Sequence, residues 1–477
     1  MNTSVEDSRN YYDRVRQFDL IQVSIDSVSG RRIKARILAD DLSFNLYFDY
    51  DEDVPLDDRV AGMIASLPVV NYAYFTREIR LNFPVPKSFL DQLREFVRIN
   101  NIETFINSIV RRRYEFFRRD YLPDESEITQ ENAEGHTIIS AESVYSNEPF
   151  HLATERNRVA VMSSGGKESL TTFGMLREIG ADVFPVFFNE SGGHWKTAKI
   201  AYDYMKKNYS NVHKVWSNVD RFYSFMNGHM PMLDQKEIRK TADSYPVQMF
   251  IFPVYVFSML PYVIKYGIGN IALGDEFDDP IYQEKYRGIK HFYGVYDQTN
   301  EFNDTVSDLL ARIGMPVRVF SAVYPIFGTL VEKILVKRYP ELLRIQRSCH
   351  LCHYEGEEVV PCGRCTKCLG VLLFMINAGG DPTTAGYKPE AVKNLKKNLE
   401  TANMRLDPVE LDYLTRSVFL GQRDESHVEG IHILPGEDRL LSKVPDEFRD
   451  GVLRIISEYA NGAYRIDGGR WVRMGTP

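Results

Sequence analysis

Residues 158–180 read RVAVMSSGGKESLTTFGMLREIG. The run 159–162 is short and apolar, the pattern of a buried strand. Ser163-Ser164-Gly165-Gly166-Lys167 follows it. From Glu168 onward, Leu170, Phe173, Leu176 and Ile179 recur at helical spacing, and Gly180 fits the position just past a helix end. A second apolar strand is expected at once, over 181–189. Strand, glycine turn, helix and strand make a right-handed βαβ unit, so the fold class expected is α/β with a parallel sheet.

The turn has the chemistry of an anion cradle. Small residues let backbone N–H groups come close to a phosphate, and the helix N-terminus adds favourable partial charge. Ser163, Ser164 and Ser169 offer hydroxyls. The Walker pattern fails because Glu168, not Ser or Thr, follows Lys167, and GxGxxG is absent. The alternative is a turn that only joins strand to helix.

All 5 cysteines fall in one short segment, as Cys349, Cys352, Cys362, Cys365 and Cys368. An odd count in one segment argues against paired disulfides. Cys-x-x-Cys turns bring two thiolates onto one ion, and Zn²⁺ takes four such ligands in a tetrahedron. The expected metal ligands are Cys349, Cys362, Cys365 and Cys368, with Cys352 as the substitute and His350 and His353 as weaker candidates. No position is left for a catalytic water, so the metal is read as a clamp. The alternative is a redox or merely buried thiol group.

SSGGKES at 163–169 resembles the SGGxDS loop of the PP-loop ATP pyrophosphatase superfamily, whose members split ATP between its α- and β-phosphates and adenylylate a substrate. Ser164, Gly165, Gly166 and Ser169 match, and Glu168 stands where Asp is usual. Loop plus cysteines resembles 7-cyano-7-deazaguanine synthase. A closer resemblance, over about residues 155–380, is to the UDP-N-acetylmuramoyl-L-alanyl-L-glutamate epimerase family. It rests on the extension before the loop, the Ser348-Cys349 pair, and CGRCTKCLGVLLF at 362–374, similar to that family's CGxCPKCxFVF. Thr366 replaces the proline, and Asp275 stands where Asn is expected.

The resemblance implies a PP-loop (HUP-type) ATP-binding α/β domain over 150–345. Around it are expected an N-terminal α+β domain (1–122), a linker (123–149), a Cys-rich zinc segment with a docking helix (346–385) and a mostly helical C-terminal region (386–477). It also implies ATP, Mg²⁺ and Zn²⁺ as cofactors and a carboxylate-bearing small molecule as substrate. Ser163, Ser164, Gly165, Gly166, Ser169 and Asn189 are the expected nucleotide-binding residues. Lys167, Glu168, Glu190, Asp275 and Glu276 are the expected catalytic ones.

Asp275 and Glu276 earn their place from position. They follow the apolar run 270–273, and carboxylates just past a parallel strand sit at the ligand edge of an open sheet, where Mg²⁺ wants hard oxygens. The alternative is a solvated, helix-capping turn. Glu190 and His194 flank a glycine pair after the second strand and are candidates for proton transfer, or for a plain turn. Residues 296–303 (YDQTNEFN) are read as positioning a polar substrate. Asp49, Asp51 and Asp53 recur like a calcium loop, but Val54 and Val60 occupy the places needing Gly and Glu. Arg111, Arg112, Arg113, Arg118 and Arg119 are read as helical, with a solvated face as the plainer account and a diphosphate or nucleic acid as the other.

Composition sets the outer bounds. At 477 residues, with 44% hydrophobic and 26% charged, the chain has globular composition, which excludes global disorder and a disulfide-dense scaffold. A net charge of −8 argues against nucleic acid as the default partner. The polar start of the chain lacks the apolar core of a signal peptide, and the apolar run 249–264 carries Pro253 and Pro261. A kinked or broken core helix is expected there, not a membrane span. The protein is expected to be cytoplasmic, with an oligomer left open.

Overall fold

The computed structural model describes residues 11–474 except 112–114, 147–149, 192–194, 241–246, 248, 278–282, 293–294, 350, 357, 405 and 425. His194, His350, Arg112 and Arg113 therefore lie outside the described residues.

Among the described residues, ten strands form one sheet. In chain order the first five are β1 (Phe18–Ser29), β2 (Arg32–Ala39), β3 (Leu42–Tyr50), β4 (Thr76–Pro86) and β5 (Ile138–Tyr145). Then come β6 (Glu155–Ser163), β7 (Asp182–Asn189), β8 (His213–Ser217) and β9 (Ile268–Leu273). A hairpin of β10 (Gln283–Tyr286) and β11 (Ile289–Phe292) stands apart, and β12 (Arg318–Ser321) completes the sheet. The order is β12-β9-β6-β7-β8-β3-β2-β1-β4-β5, and the sheet is mostly parallel.

Burial follows strand periodicity. Every residue of β9 is buried, as a central parallel strand covered on both faces requires. In β6, Ala160 joins one core, whereas Val159 and Val161 join the other. The first core takes the helix Phe252–Tyr266 through Val256, Phe257, Leu260 and Val263. The second takes the helices Lys167–Glu178 and Gly328–Arg338. The stripe Leu170, Phe173 and Leu176 does face the core as its spacing predicts.

The N-terminal strands continue the same sheet. β3 pairs antiparallel with β8, Phe48 opposite Ser217 and Tyr50 opposite Val215. Asn218 prolongs this seam with its amide, donating to the Asn45 carbonyl at 2.8 Å and accepting from the Tyr47 N–H at 2.9 Å. The Tyr262 hydroxyl donates to Asp51 Oδ1 at 2.6 Å, tying the long apolar helix to the end of β3.

Several local expectations change. Residues 88–99 and 102–117 are not two helices: Lys87–Glu103 is a single helix that passes into a π-helical turn, Thr104–Val110. Arg111 ends that turn, Arg118 is extended and Arg119 starts a short 3₁₀ turn, so the expected helical face shared by Arg111 and Arg118 is not formed. Within 123–149, β5 pairs with β4 instead of running as a linker, because Ile139 and its neighbours complete the sheet edge. The run 249–264 forms one uninterrupted helix, Phe252–Tyr266, with Pro253 in its first turn and Pro261 inside. The C-terminal region holds a three-stranded sheet (Ile431–Ile433, Ala463–Asp467, Arg470–Arg473) beside its helices. Among the described residues, no helix is long and apolar enough to cross a membrane.

Candidate functional site

β6 ends at Ser163 and the helix Lys167–Glu178 begins one tight turn later. Gly165 makes the turn possible: its φ is +78°, and a Cβ there would stand 3.0 Å from that of Ala201. The loop is tied to itself and to the cysteine segment. The Gly166 amide donates to Ser164 Oγ at 3.3 Å, and the Ser169 hydroxyl donates to the Gly166 carbonyl at 3.2 Å. The Arg347 amide donates to the Gly165 carbonyl at 3.0 Å. The Ser163 hydroxyl is buried and turned back onto the Val161 carbonyl. Among the described residues, no N-cap side chain accepts from the helix at Gly166, and the Glu168 amide donates to its own carboxylate.

A cleft of about 390 Å³ opens over this junction. Met162, Ser164, Glu168 and Ser169 line it from the loop side, and Gly274 and Glu276 from the end of β9. Phe252, Gln298, Lys367, Leu406, Asp407 and Glu410 close the remaining walls. The cleft therefore lies at the carboxyl ends of adjacent parallel strands, the usual ligand edge of an open α/β sheet.

Lys167 does not point into it. Its side chain is only 8% exposed and its ammonium meets Glu276 at 2.8 Å, pairs with Glu168 and lies 4.9 Å from the Phe374 ring centre. Burial disfavours that ammonium, but the two carboxylates hold it protonated well above the usual lysine range. Burial likewise raises Glu168, and the Lys167 charge overrides it and keeps the carboxyl below its ordinary value. At Glu276 burial prevails: it pushes the carboxyl up to about 8, against Lys167 and with help from Glu168 and Glu410. One ammonium is thus shared by two carboxyls, which it holds at different proton affinities.

Asp275, placed with Glu276 as a magnesium or base candidate, lies outside the cleft lining. It is 3% exposed, accepts a hydrogen bond from the Asn303 amide at 3.1 Å, and its Oδ1 has no hydrogen-bond partner among the described residues. Burial pushes its carboxyl up to about 8. Burial therefore favours the protonated form of this carboxyl when no cation is beside it. From the stretch 296–303, Gln298 reaches the cleft, while Asp297 caps the N–H groups of Ile251 and Phe252 at 2.8 and 3.0 Å. Asn189, at the end of β7, accepts from the Ser191 amide at 3.0 Å, and Glu190 accepts from the Tyr255 hydroxyl. Neither of these two lines the cleft.

Spacing alone does not reveal Lys367, Asp407 and Glu410. Asp407 caps the helix Pro408–Leu420, an ordinary Asp-Pro start, and Glu410 accepts from the Thr329 amide at 2.7 Å and hydroxyl at 2.8 Å. Nothing local signals that this helix folds across the loop.

Cys349, Cys362, Cys365 and Cys368 form a cluster whose sulfurs all lie within 4.8 Å of one another, so they can hold a metal ion such as zinc. Cys352 is not part of it. Backbone N–H groups of Leu351 and Cys362 donate to the Cys349 sulfur, and that of Cys365 to the Cys362 sulfur, each at 3.3 Å. These bonds stabilise thiolate. Hydrogen bonding among the sulfurs pushes Cys362 and Cys365 below the ordinary thiol range and Cys349 and Cys368 above it. A bound dication removes that division of protons. Among the described residues, no group of carboxylates converges comparably. No protein-family model matches the chain, and no curated protein matches it.

Proposed function

We propose that the protein is an ATP-dependent enzyme of the PP-loop pyrophosphatase type, which adenylylates a substrate carboxylate and releases pyrophosphate. The observation that carries this reading is the Ser164–Ser169 turn at the head of a side-chain-uncapped helix, opening onto the cleft at the sheet's carboxyl edge. In this reading the substrate carboxylate attacks the α-phosphorus, and the β- and γ-phosphates leave into the loop. Fixed backbone dipoles stabilise the charge that develops on the leaving group. Glu168 and Glu276 are already engaged by Lys167, Asp407 by a helix N-terminus and Glu410 by Thr329. Mg²⁺ accordingly enters with the nucleotide, held mainly by phosphate oxygens and water. Zinc in the four-cysteine cluster is structural, because all four positions are filled by sulfur.

The acyl-adenylate has lost the carboxylate's charge, which otherwise opposes carbanion formation. A base then removes the adjacent proton, the opposite face is reprotonated, and water releases AMP: epimerisation, as the resemblance to the UDP-N-acetylmuramoyl-L-alanyl-L-glutamate epimerase family implies. Glu276, lining the cleft with a raised proton affinity, is the group best suited to hold a proton there.

The experiment is mass spectrometry of products from ATP, Mg²⁺ and UDP-N-acetylmuramoyl-L-alanyl-L-glutamate in deuterated water. AMP, pyrophosphate and deuterium at the glutamyl α-carbon are expected. AMP and pyrophosphate without deuterium, produced only when ammonia is supplied, point to an amide or nitrile synthase. Nucleotide binding without AMP points to a sensing module.

A further inference from the structure

Carboxyls outnumber basic side chains around the cleft, and Lys167 serves only two of them. Among the described residues, its ionisable lining consists of the carboxyls of Glu168, Glu276, Asp407 and Glu410, and one basic side chain, Lys367. The loop's own lysine is turned beneath the floor and held by Glu168 and Glu276. A phosphate placed beside an ionised carboxylate is repelled by it. An anionic ligand in this cleft therefore needs a cation of the protein's own, and Lys367 is on the correct side. It lines the cleft with Ser164 and Ser169, and Glu168 feels its charge.

The backbone that carries Lys367 is fixed by the cysteine cluster. Cys365 is the N-cap of the helix Thr366–Asn377, Cys368 is its third residue, and Lys367 stands between them. Both flanking sulfurs belong to the cluster. The same segment grips the loop, since Arg347, two residues before Cys349, donates its amide to Gly165. A metal ion held by the four cysteines would fix the lysine and the turn as one unit.

We propose that Lys367 is the cation that recognises the diphosphate end of the ligand, and that the metal cluster serves to aim it. This rests on the nucleotide reading of the cleft. Lysine suits such a contact, being a compact charge on a flexible stem with three donors.

The test uses Lys367→Gln and Lys367→Arg in the full chain. Titration calorimetry with magnesium pyrophosphate is read together with metal content by elemental mass spectrometry. Lys367 is exposed, so both variants are expected to keep wild-type metal content and melting temperature. Lys367→Gln is expected to weaken pyrophosphate binding by about tenfold or more, the loss of one charge-assisted contact, and Lys367→Arg by less than about threefold. Wild-type affinity in Lys367→Gln overturns the proposal. Equal losses in both variants, or loss of metal in either, also overturn it, because the side chain then serves the cluster's shape and not the ligand. Wild-type protein that binds neither pyrophosphate nor ATP fails earlier, and that result rejects the loop reading itself.

Discussion

The amide of Arg347 donates to the carbonyl of Gly165 at 3.0 Å, joining the cysteine segment to the glycine turn across almost the whole length of the α/β unit. Order in the turn and order in the cluster are therefore mechanically connected. Removing metal with a chelator is expected to speed amide exchange at residues 163–169 as well as at 347–368, with little change in β1–β4. Cys368→Ser is expected to lose most of the bound metal, and Cys352→Ser to keep it, since Cys352 is not part of the cluster. Hydrogen-exchange and elemental mass spectrometry check both.

The Lys167 ammonium is shared by two carboxyls, so it acts on stability before it acts on any ligand. Lys167→Met leaves the partly exposed Glu168 and Glu276 carboxyls facing each other without their cation. Removing the shared charge in this way costs about 1–3 kcal/mol. Denaturant melts should show that loss, and the double variant Lys167→Met/Glu276→Gln should recover a large part of it. Additive losses in the double variant contradict a shared cation.

Burial raises the Asp275 carboxyl to about 8, whereas the unfolded chain titrates it near the ordinary aspartate value. Between those values the folded state holds a proton that the unfolded state has lost. Stability from this group therefore falls as pH rises from about 4 to about 8, and the penalty is complete above that. Asp275→Asn keeps the neutral shape and an acceptor for the Asn303 amide. The variant should match the wild type near pH 4 and exceed it at pH 9 by at least about 1 kcal/mol, as read by urea melts at both pH values. The sequence resemblance expects asparagine here, and a protonated aspartic acid is its close mimic.

Gly165→Ala adds a methyl group where φ is +78° and Ala201 stands 3.0 Å away. The expected cost is about 1–2 kcal/mol from backbone strain, with the turn pushed off the sheet edge. Gly180→Ala also has positive φ but has nothing within 4 Å, so it should show strain without the steric part and leave ligand binding unchanged. Parallel melts and pyrophosphate titrations separate the two.

The elements legible in the sequence are those whose signals are local. The strand before the loop, the stripe Leu170, Phe173 and Leu176, the glycine turn and the Cys-x-x-Cys spacing each fit within a dozen residues, and each stands in the structure. The seam between β3 and β8 was not legible, because alternation says that a strand has an inward face but not which distant strand it joins. Asp407 and Glu410 read as the opening of a helix, and only the tertiary fold brings that helix over the loop. Asp275 and Glu276 are neighbours with opposite surroundings. One lies against Asn303 and the other lines the cleft beside Lys167, and because both lie past the end of β9 at Leu273, strand alternation does not say which faces inward.

In the proposed reaction the Ser164–Ser169 turn receives the β- and γ-phosphates of ATP. A crystal structure with Mg²⁺ and the uncleavable analogue α,β-methylene-ATP tests it most directly. The two terminal phosphates are expected over the turn, with the Ser164 and Ser169 hydroxyls rotated from the loop's own groups onto phosphate oxygens. A nucleotide bound elsewhere, with Ser169 still donating to the Gly166 carbonyl, contradicts it.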